Sequence, residues 1–364
     1  MNDVPENAAG TGRPTVYDVA RVAGVSIKTV SRVVNHSPGV SATTRLLVLA
    51  AIEDLGYVVN AAARSLVTGS STTIGVIVDS IADPFFASLV SVVEVDAMAA
   101  GFSTQVASTW RDPLREREQV LRMTRENVRG LLLAPTTGDH DYFPAALGDI
   151  PAVLVDRGWP SSGLDTVGVD DRADTRSAIE RLLARGHRRI AFLGDCADGD
   201  RADGDRAESD RAESDRADGD RAELPTISNR REGYRDAMRA AGQPELVRSS
   251  VRASEAAVAE LLALPDPPTA IFSSNARTSL GVVRALHRAG RSGDVALISF
   301  GDFELSDTLR PGVTVVDHDP ARIAAAAVGR LLTRIRGTPQ APADILLPTE
   351  LVQRGSGELR CVQS

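Results

Sequence analysis

The sequence predicts an α/β protein, with a small all-α headpiece followed by a larger, two-lobed, doubly wound domain. Three observations lead there. A chain of 364 residues is too long for one ordinary hydrophobic core, so a small domain beside a two-lobed one is the natural division. Near the N-terminus, apolar residues recur at helical spacing in short blocks. Beyond residue 72, short apolar runs alternate with amphipathic helical stretches, the pattern of parallel sheets with helices on both faces.

Composition narrows the class. Hydrophobic residues make up 43% and charged residues 25%, ordinary for a globular chain and incompatible with wholesale disorder. No apolar run approaches the roughly 20 residues of a membrane span. Residues 1–13 carry Asp3 and Glu6 and no apolar stretch, unlike a secretory signal, so the expectation is a cytoplasmic protein with no membrane partner. Cys196 and Cys361 are far apart in sequence and form no CxxC pair, so reduced thiols and no metal site are expected. The net charge of −8 argues superficially against nucleic acid. Its distribution reverses that: residues 197–223 carry eleven acidic and five basic side chains, whereas residues 14–67 carry five basic and three acidic. Lys28, in the positive segment, is the single lysine of the chain.

From Thr15 the sequence reads TVYDVARVAGVSIKTVSRVVN. Val16, Val19, Ala20 and Ala23 line one face of a first helix. Gly24 tolerates a left-handed turn and the Ser26 hydroxyl can cap a second helix. There Val30, Val33 and Val34 face inward, while Ile27, Lys28, Ser31 and Arg32 face outward. Two short helices joined by a glycine turn, the second with a polar face, form the pattern of a major-groove reading helix; an ordinary helical hairpin is the alternative on spacing alone. A third helix from about Thr43 to Leu55 supplies Val48, Leu49, Ile52 and Leu55 to a miniature core.

The strings Asp-Val-Ala, Ala-Gly-Val-Ser and Thr-Val-Ser-Arg-Val-Val-Asn, with the later GY…AARSL, closely resemble the headpiece of the lactose- and galactose-repressor (LacI/GalR) family. The resemblance implies that Ile27, Lys28 and Arg32 face base edges, and that Tyr17, Ser26, Thr29, Ser31 and Asn35 hold phosphates or brace the helix. The chemistry suits those roles, since arginine and lysine donate to guanine O6 and N7 while hydroxyls and amides bind phosphate. Asn60-Ala-Ala-Ala-Arg-Ser-Leu66 is too short to hold a helix alone in water. It matches the family's hinge helix, which folds on operator DNA; Ala61 and Leu66 are its DNA-side positions, Leu66 as the minor-groove wedge. Val59 stands where the family usually has proline.

In the large domain the strand-like runs are IGVIVD (74–79), GLLLAP (130–135), AVLVD (152–156), RIAFLG (189–194), TAIFS (269–273) and VALISF (295–300). Ligands of such sheets bind at the carboxyl ends of the strands. The resemblance extends through this region and implies two lobes like those of periplasmic sugar-binding proteins, with a small-molecule effector between them. Phe85, Phe86, Asp156, Arg157, Arg230, Asn275, Asp302 and His318 are the expected cleft residues, and His187 is expected to be structural. Where many relatives have Phe-Asp-Asp this chain has Phe300-Gly301-Asp302, where many have Asn-Asp it has Asn275-Ala276, and His318 replaces a common glutamine. The two missing carboxylates open the possibility of an anionic effector beside a sugar-like one.

Residues 197–221 are five tandem pentads, ADGDR, ADGDR, AESDR, AESDR and ADGDR. They hold nothing apolar larger than alanine and are expected to form a solvated, disordered insertion without chemistry. Residues 344–364 contain no leucine heptads, so a homodimer and no coiled-coil tetramer is expected. The readings divide the chain into a tail (1–13), headpiece (14–58), hinge and linker (59–72), effector and dimerisation domain (73–354, interrupted by 197–223) and C-terminal tail (355–364). No P-loop, GxSxG, HExxH or dinucleotide GxGxxG occurs. The expectation is therefore a dimeric, operator-binding transcription regulator, a repressor, rather than an enzyme or an exported solute receptor, with no cofactor.

Overall fold

The computed structural model describes residues 14–34, 38–57, 71–136, 140–158, 162–195, 224–249 and 254–361. Asn35, Ala61, Leu66, Cys196, the tail 1–13 and the pentad segment 197–223 lie outside the described residues. Two compact units divide the chain, Met1–Ser71 and Thr72–Ser364.

The first unit is three helices, α1 (Val16–Ala23), α2 (Ile27–Val34) and α3 (Ala42–Leu55). Gly24 makes the turn expected of it, while the Thr15–Asp18 start of α1 and the Gly56 end of α3 add to the sequence reading. The Asp18 carboxylate accepts from both the N–H and the hydroxyl of Thr15, 3.0 and 2.7 Å away. Gly24 and Gly56 take φ of 66° and 60° after α1 and α3, where a side chain would be strained. Val19, Val30, Val33, Val48 and Ala51 form the core, with Val16, Ile52, Leu55 and Tyr57 packed around it. Leu49 departs from the sequence expectation: it is 47% exposed. One step of about 100° beyond the buried Val48 carries it off the inner face, and Ala51 fills the place assigned to it.

The second unit contains two six-stranded sheets. The first has the order β11-β5-β4-β3-β1-β2, built from β1 (Thr73–Val78), β2 (Ser103–Ser108), β3 (Gly130–Leu133), β4 (Ala152–Val155), β5 (Asp165–Val169) and β11 (Asp344–Leu347). The second has the order β12-β10-β9-β8-β6-β7, from β6 (Ile190–Gly194), β7 (Leu246–Ser249), β8 (Ala270–Ser273), β9 (Ala296–Phe300), β10 (Thr314–Asp317) and β12 (Glu350–Val352). Every pairing is parallel except that of β10 with β12. The central strands β3, β4, β6, β8 and β9 are buried along their whole length, as parallel strands covered on both faces must be.

Helices cover both sheets: α4 (Pro84–Ala99), α5 (Pro113–Arg125), α6 (Phe143–Leu147), α7 (Asp171–Ala184), α8 (Pro225–Ala240), α9 (Ser254–Leu262), α10 (Ala276–Arg288) and α11 (Pro320–Ile335). Several begin with an Asp or Asn cap over which backbone N–H groups close, Asp83 for α4, Asp112 for α5, Asn275 for α10 and Asp319 for α11. Such a cap contributes about 1 kcal/mol, and Pro84, Pro113 and Pro320 set the first helical φ just after it.

The chain passes between the lobes three times, after β5, after β10 and after β11. So α11 packs on α4 and on β3, β4 and β5 of the first lobe, although it follows strands of the second. Arg330 and Arg334 of α11 grip the buried Asp165 at 2.8 and 2.7 Å, and these bonds hold its carboxyl down to about 2 against the upward push of burial. The segment from 355, expected as a tail, is ordered through Cys361 and packs on the second lobe. A 3-10 turn, Ser356–Glu358, puts the buried Ser356 hydroxyl on the Leu297 carbonyl at 2.6 Å, and Glu358 accepts from the Thr314 hydroxyl at 2.7 Å. His187 is structural: its two ring nitrogens meet the Thr269 hydroxyl at 2.9 Å and the Leu359 carbonyl at 3.0 Å.

Candidate functional site

Helix α2 presents two chemically different faces. Val30 and Val33 are buried, whereas Ile27, Lys28 and Arg32 are exposed, with Thr29 and Ser31 at the boundary. Ser26 caps the helix as its hydroxyl position implies, accepting from the Thr29 N–H at 3.2 Å and sharing a 2.9 Å bond with the Thr29 hydroxyl. Both hydroxyls thus sit at the positive end of a helix dipole, where an anion is stabilised. Tyr17, on α1, is 68% exposed.

In the second unit, all eight residues expected to line a cleft lie on the wall of one cavity of about 690 Å³. It opens at the carboxyl ends of the strands: Asp79 follows β1, Asp156 and Arg157 follow β4, Asn275 lies just past β8, Asp302 follows β9, and His318 follows β10. The aromatic part comes from both lobes. Phe85 and Phe86, in the first turn of α4, meet edge to face at 5.0 Å. His318 stacks on Phe85, centroids 4.5 Å apart, and meets Phe300 at 5.3 Å. Gly301 has φ of 86°, and a Cβ there would stand 3.0 Å from the His318 ring, so glycine makes the room that the larger imidazole takes.

The charged residues are mostly paired with each other. Arg157, given as a possible grip on ligand, is buried and spent: its two terminal nitrogens bind the Asp79 carboxylate at 2.9 and 2.6 Å, and one also donates to the Pro135 carbonyl at 3.1 Å. Burial alone would raise Asp79, but the charge and hydrogen bonds of Arg157 hold its carboxyl below the usual range. Arg230 donates to Asp171 at 2.7 Å and to the Ser274 carbonyl at 2.6 Å, with its guanidinium 3.6 Å over the Phe300 ring. Burial pushes Asp171 up to about 7 in spite of Arg230. Asp302 faces the cavity but is held by Arg354 at 2.7 and 2.6 Å and by the Ser306 hydroxyl at 2.6 Å. The Asn275 side-chain oxygen is used as the α10 cap, accepting from Thr278 at 2.8 Å.

Two further carboxyls stand on the wall: Asp83 accepts from the Phe85 N–H at 3.0 Å as the α4 cap, and Asp156 faces the Arg157 Nε at 3.3 Å. Burial raises Asp83 and Asp156 above the usual carboxylate range, and the neighbouring Asp79 adds to both shifts. Asp156 has φ of 66° in a three-residue turn closed by the Arg157 N–H on the Val155 carbonyl at 2.7 Å. Holding a non-glycine residue there costs of order 1 kcal/mol, and Gly168, whose Cβ would stand 3.1 Å from the Asp156 carbonyl, leaves the space for it. His318 is driven the opposite way, down to about 3, by burial and by the charge of Arg230, so the ring is neutral.

Asp79, Asp83 and Arg111 line the same cavity, and Asp171 stands behind it, yet none was singled out from the sequence. Asp79 and Asp83 carried a usable signal, since they end a recognisable strand and cap the helix after it. Arg111 did not, because it follows β2, whose residues STQVAS form no apolar run. Among the described residues no cluster of His, Cys, Asp and Glu could hold a metal ion, and no helix is long and apolar enough to cross a membrane.

Comparison with known proteins gives this geometry its family. Residues 15–60 match the model of bacterial regulatory proteins of the lacI family, residues 71–208 that of the periplasmic binding proteins and sugar binding domain of the LacI family, and residues 179–357 a periplasmic binding protein-like domain. The HTH-type transcriptional regulator PtxS of Pseudomonas putida is 32% identical over 361 residues, covering 98% of this chain and 99% of its own. The lac repressor dimer bound to operator and the anti-inducer ONPF is 26% identical with a TM-score of 0.79, over 95% of this chain and 99% of that one. A complex of the transcriptional regulator CelR with cellobiose is 29% identical with a TM-score of 0.64, over 94% and 100%. The relatives are regulators of transcription and not enzymes, and their likeness runs through both units. This chain belongs to the LacI family of bacterial transcriptional regulators.

Proposed function

We propose that this regulator works in the cytoplasm as a homodimeric repressor, binding a two-fold operator through α2 and releasing or gripping it according to a small molecule in the inter-lobe cavity. Ile27, Lys28 and Arg32 read base edges; Tyr17, Ser26, Thr29, Ser31 and Asn35 position the helix on phosphates; Ala61 and Leu66 belong to the hinge that completes the contact in the minor groove. The headpiece is taken as 14–58, the hinge as 59–72 and the sensor as 73–354. What supports the reading most is the cavity itself, a half-open space of about 690 Å³ at the carboxyl ends of the strands of two sheets, walled by the eight residues expected of an effector cleft.

The pairing of charges favours a neutral, hydroxylated effector over an anionic one. The guanidiniums of Arg157 and Arg230 are each matched by a carboxylate, Asp79 and Asp171, while Asp156, also beside Arg157, and the helix cap Asp83 add two further acids to the wall. Hydroxyls donate to such groups, whereas an anion would be repelled by them. Phe85, Phe86 and His318 offer the flat apolar contact that a sugar ring takes. Ligand and operator then influence each other reciprocally. The test is to footprint the full chain on the DNA upstream of its own coding region, with and without a panel of neutral sugars and sugar acids. A protected palindrome whose occupancy changes with a neutral sugar is expected; protection that no small molecule alters would remove the sensing half of the reading.

A further inference from the structure

Among the described residues, the ion pair of Arg111 with Asp195 joins the two lobes directly. Arg111, in the loop between β2 and α5 of the first lobe, donates through Nη1 to Asp195 at 2.7 Å, and Asp195 directly follows β6 of the second lobe. Its Nε faces Asp79 at 3.3 Å, the same carboxylate that Arg157 grips. The guanidinium therefore spans the cleft rim, from an acid of one lobe to an acid of the other. The side chain of Arg111 is 26% exposed and that of Asp195 is 17% exposed, in contrast to the 4% of Arg157. The loop that aims it is strained. Trp110 and Arg111 take φ of 57° and 60° in succession, a left-handed pair without glycine, held by the Trp110 N–H on the Asp79 carbonyl at 2.7 Å and the Arg111 N–H on the Thr109 hydroxyl at 3.3 Å. Strain of this kind persists where the surroundings fix it, and it concentrates at clamps and switches.

We propose that Arg111 is an inter-lobe latch: its bridge from Asp79 to Asp195 holds the lobes closed before any small molecule arrives. The three chain crossings, at 170, 318–319 and 348–349, are short tethers about which two lobes can rock. A partly buried ion pair at the rim supplies the bias toward one arrangement, and solvent at the rim lets salt weaken it. The consequence for sensing rests on the cavity being the effector site. A ligand that needs the closed arrangement binds with an apparent constant set by the fraction already closed, so opening the latch weakens binding by the factor that this fraction falls. Arg111 acts here as a positioning residue, through the lobes and not through the ligand.

The experiment needs no effector, so its failure is distinct from a failure of the effector reading. In the full chain, Cys196 and Cys361 are replaced by serine and spin labels are placed at Glu118→Cys on α5 and Ala240→Cys on α8, both exposed. Pulsed dipolar spectroscopy of the ligand-free protein then reads the distribution of lobe separations. Asp195→Asn is expected to cut the short-distance population roughly threefold, as loss of a rim ion pair should. Asp195→Glu is expected to keep most of it, and added sodium chloride should open the parent but not Asp195→Asn. Unchanged circular dichroism melts certify that each variant is folded. An unaltered distribution in Asp195→Asn overturns the latch, and so does an equal change in Asn and Glu, which would make the effect one of fit and not of charge.

Discussion

The His318 imidazole lies nearly parallel to the Phe85 ring, at 8° and 4.5 Å between centroids, joining the first turn of α4 to the strand connection that leads back into the first lobe. A ring so placed must stay neutral. Held down to about 3 by burial and by Arg230, it carries a proton in the unfolded chain but not in the folded one between that value and its ordinary 6.5. Its contribution to stability is thus complete above about 6.5 and is lost as the pH falls through that window. Asp171, raised to about 7, works the other way: its stabilising share is present below 3.8 and is lost as the pH rises through about 7. His318→Gln should flatten the acid limb of a melting-temperature profile below pH 6.5 and leave the Asp171 limb in place. Parallel profiles for parent and variant would contradict this account of the ring.

Lys28→Ala and Arg32→Ala should each weaken specific operator binding by about 1–3 kcal/mol if each loses a base-edge contact. Both side chains are exposed on α2, so the headpiece should melt as before. Titrations on operator and on random duplex separate the roles, because equal losses on both would assign the residues to phosphates.

Arg230→Ala should abolish the effector response and also destabilise the large unit. The sequence alone suggests a loss confined to the cleft. The structure adds a cost, since Asp171 and the Ser274 carbonyl lose their donor and the Phe300 face its guanidinium. Breaking a buried pair costs about 3–5 kcal/mol, eased here because Asp171 can take up a proton. A thermal melt indistinguishable from the parent's would show that the pair contributes to binding only.

Excising residues 197–221 should change the melting temperature and operator affinity little, because the pentads contain nothing larger than alanine to bury. Ten acidic and five basic groups go, moving the net charge from −8 to −3, so nonspecific DNA affinity should rise modestly at low salt. The retained neighbours Asp195 and Leu224 are part of the cleft, one at its rim and the other on its wall. A selective loss of the effector response after excision would therefore mean that the join had disturbed that rim or that the repeats act there.

Those strands that the sequence disclosed are interior ones with continuous apolar runs, whereas β5 is equally buried but reads DTVGV. The runs at 74–79, 130–135, 152–156, 189–194, 269–273 and 295–300 became β1, β3, β4, β6, β8 and β9, interior strands that must be apolar throughout. The edge strands β2, β7, β11 and β12, and β5 and β10 beside the edges, carry polar or short patterns and were not legible. The cleft shows the same division. Its residues could be named by position, but not which carboxylate each arginine would choose, because Arg157 with Asp79 and Arg230 with Asp171 meet only when distant strands and helices are assembled. Leu49 was misplaced for a simpler reason: in a helix as uniformly apolar as α3, hydrophobicity alone does not mark the inner face.

The triple crossing of the chain also sets an order of completion during synthesis. The headpiece core is closed by residue 57, near the beginning of translation, whereas the first lobe waits for α11 and β11. Until then Asp165 lacks both arginines that hold it, and the second sheet lacks β12. A product ended before Asp344 would carry every described residue of the reading helix and neither lobe entire, so a late nonsense mutation is of a different kind from an early one: it would leave a protein that still has the means to meet DNA and nothing whole with which to sense.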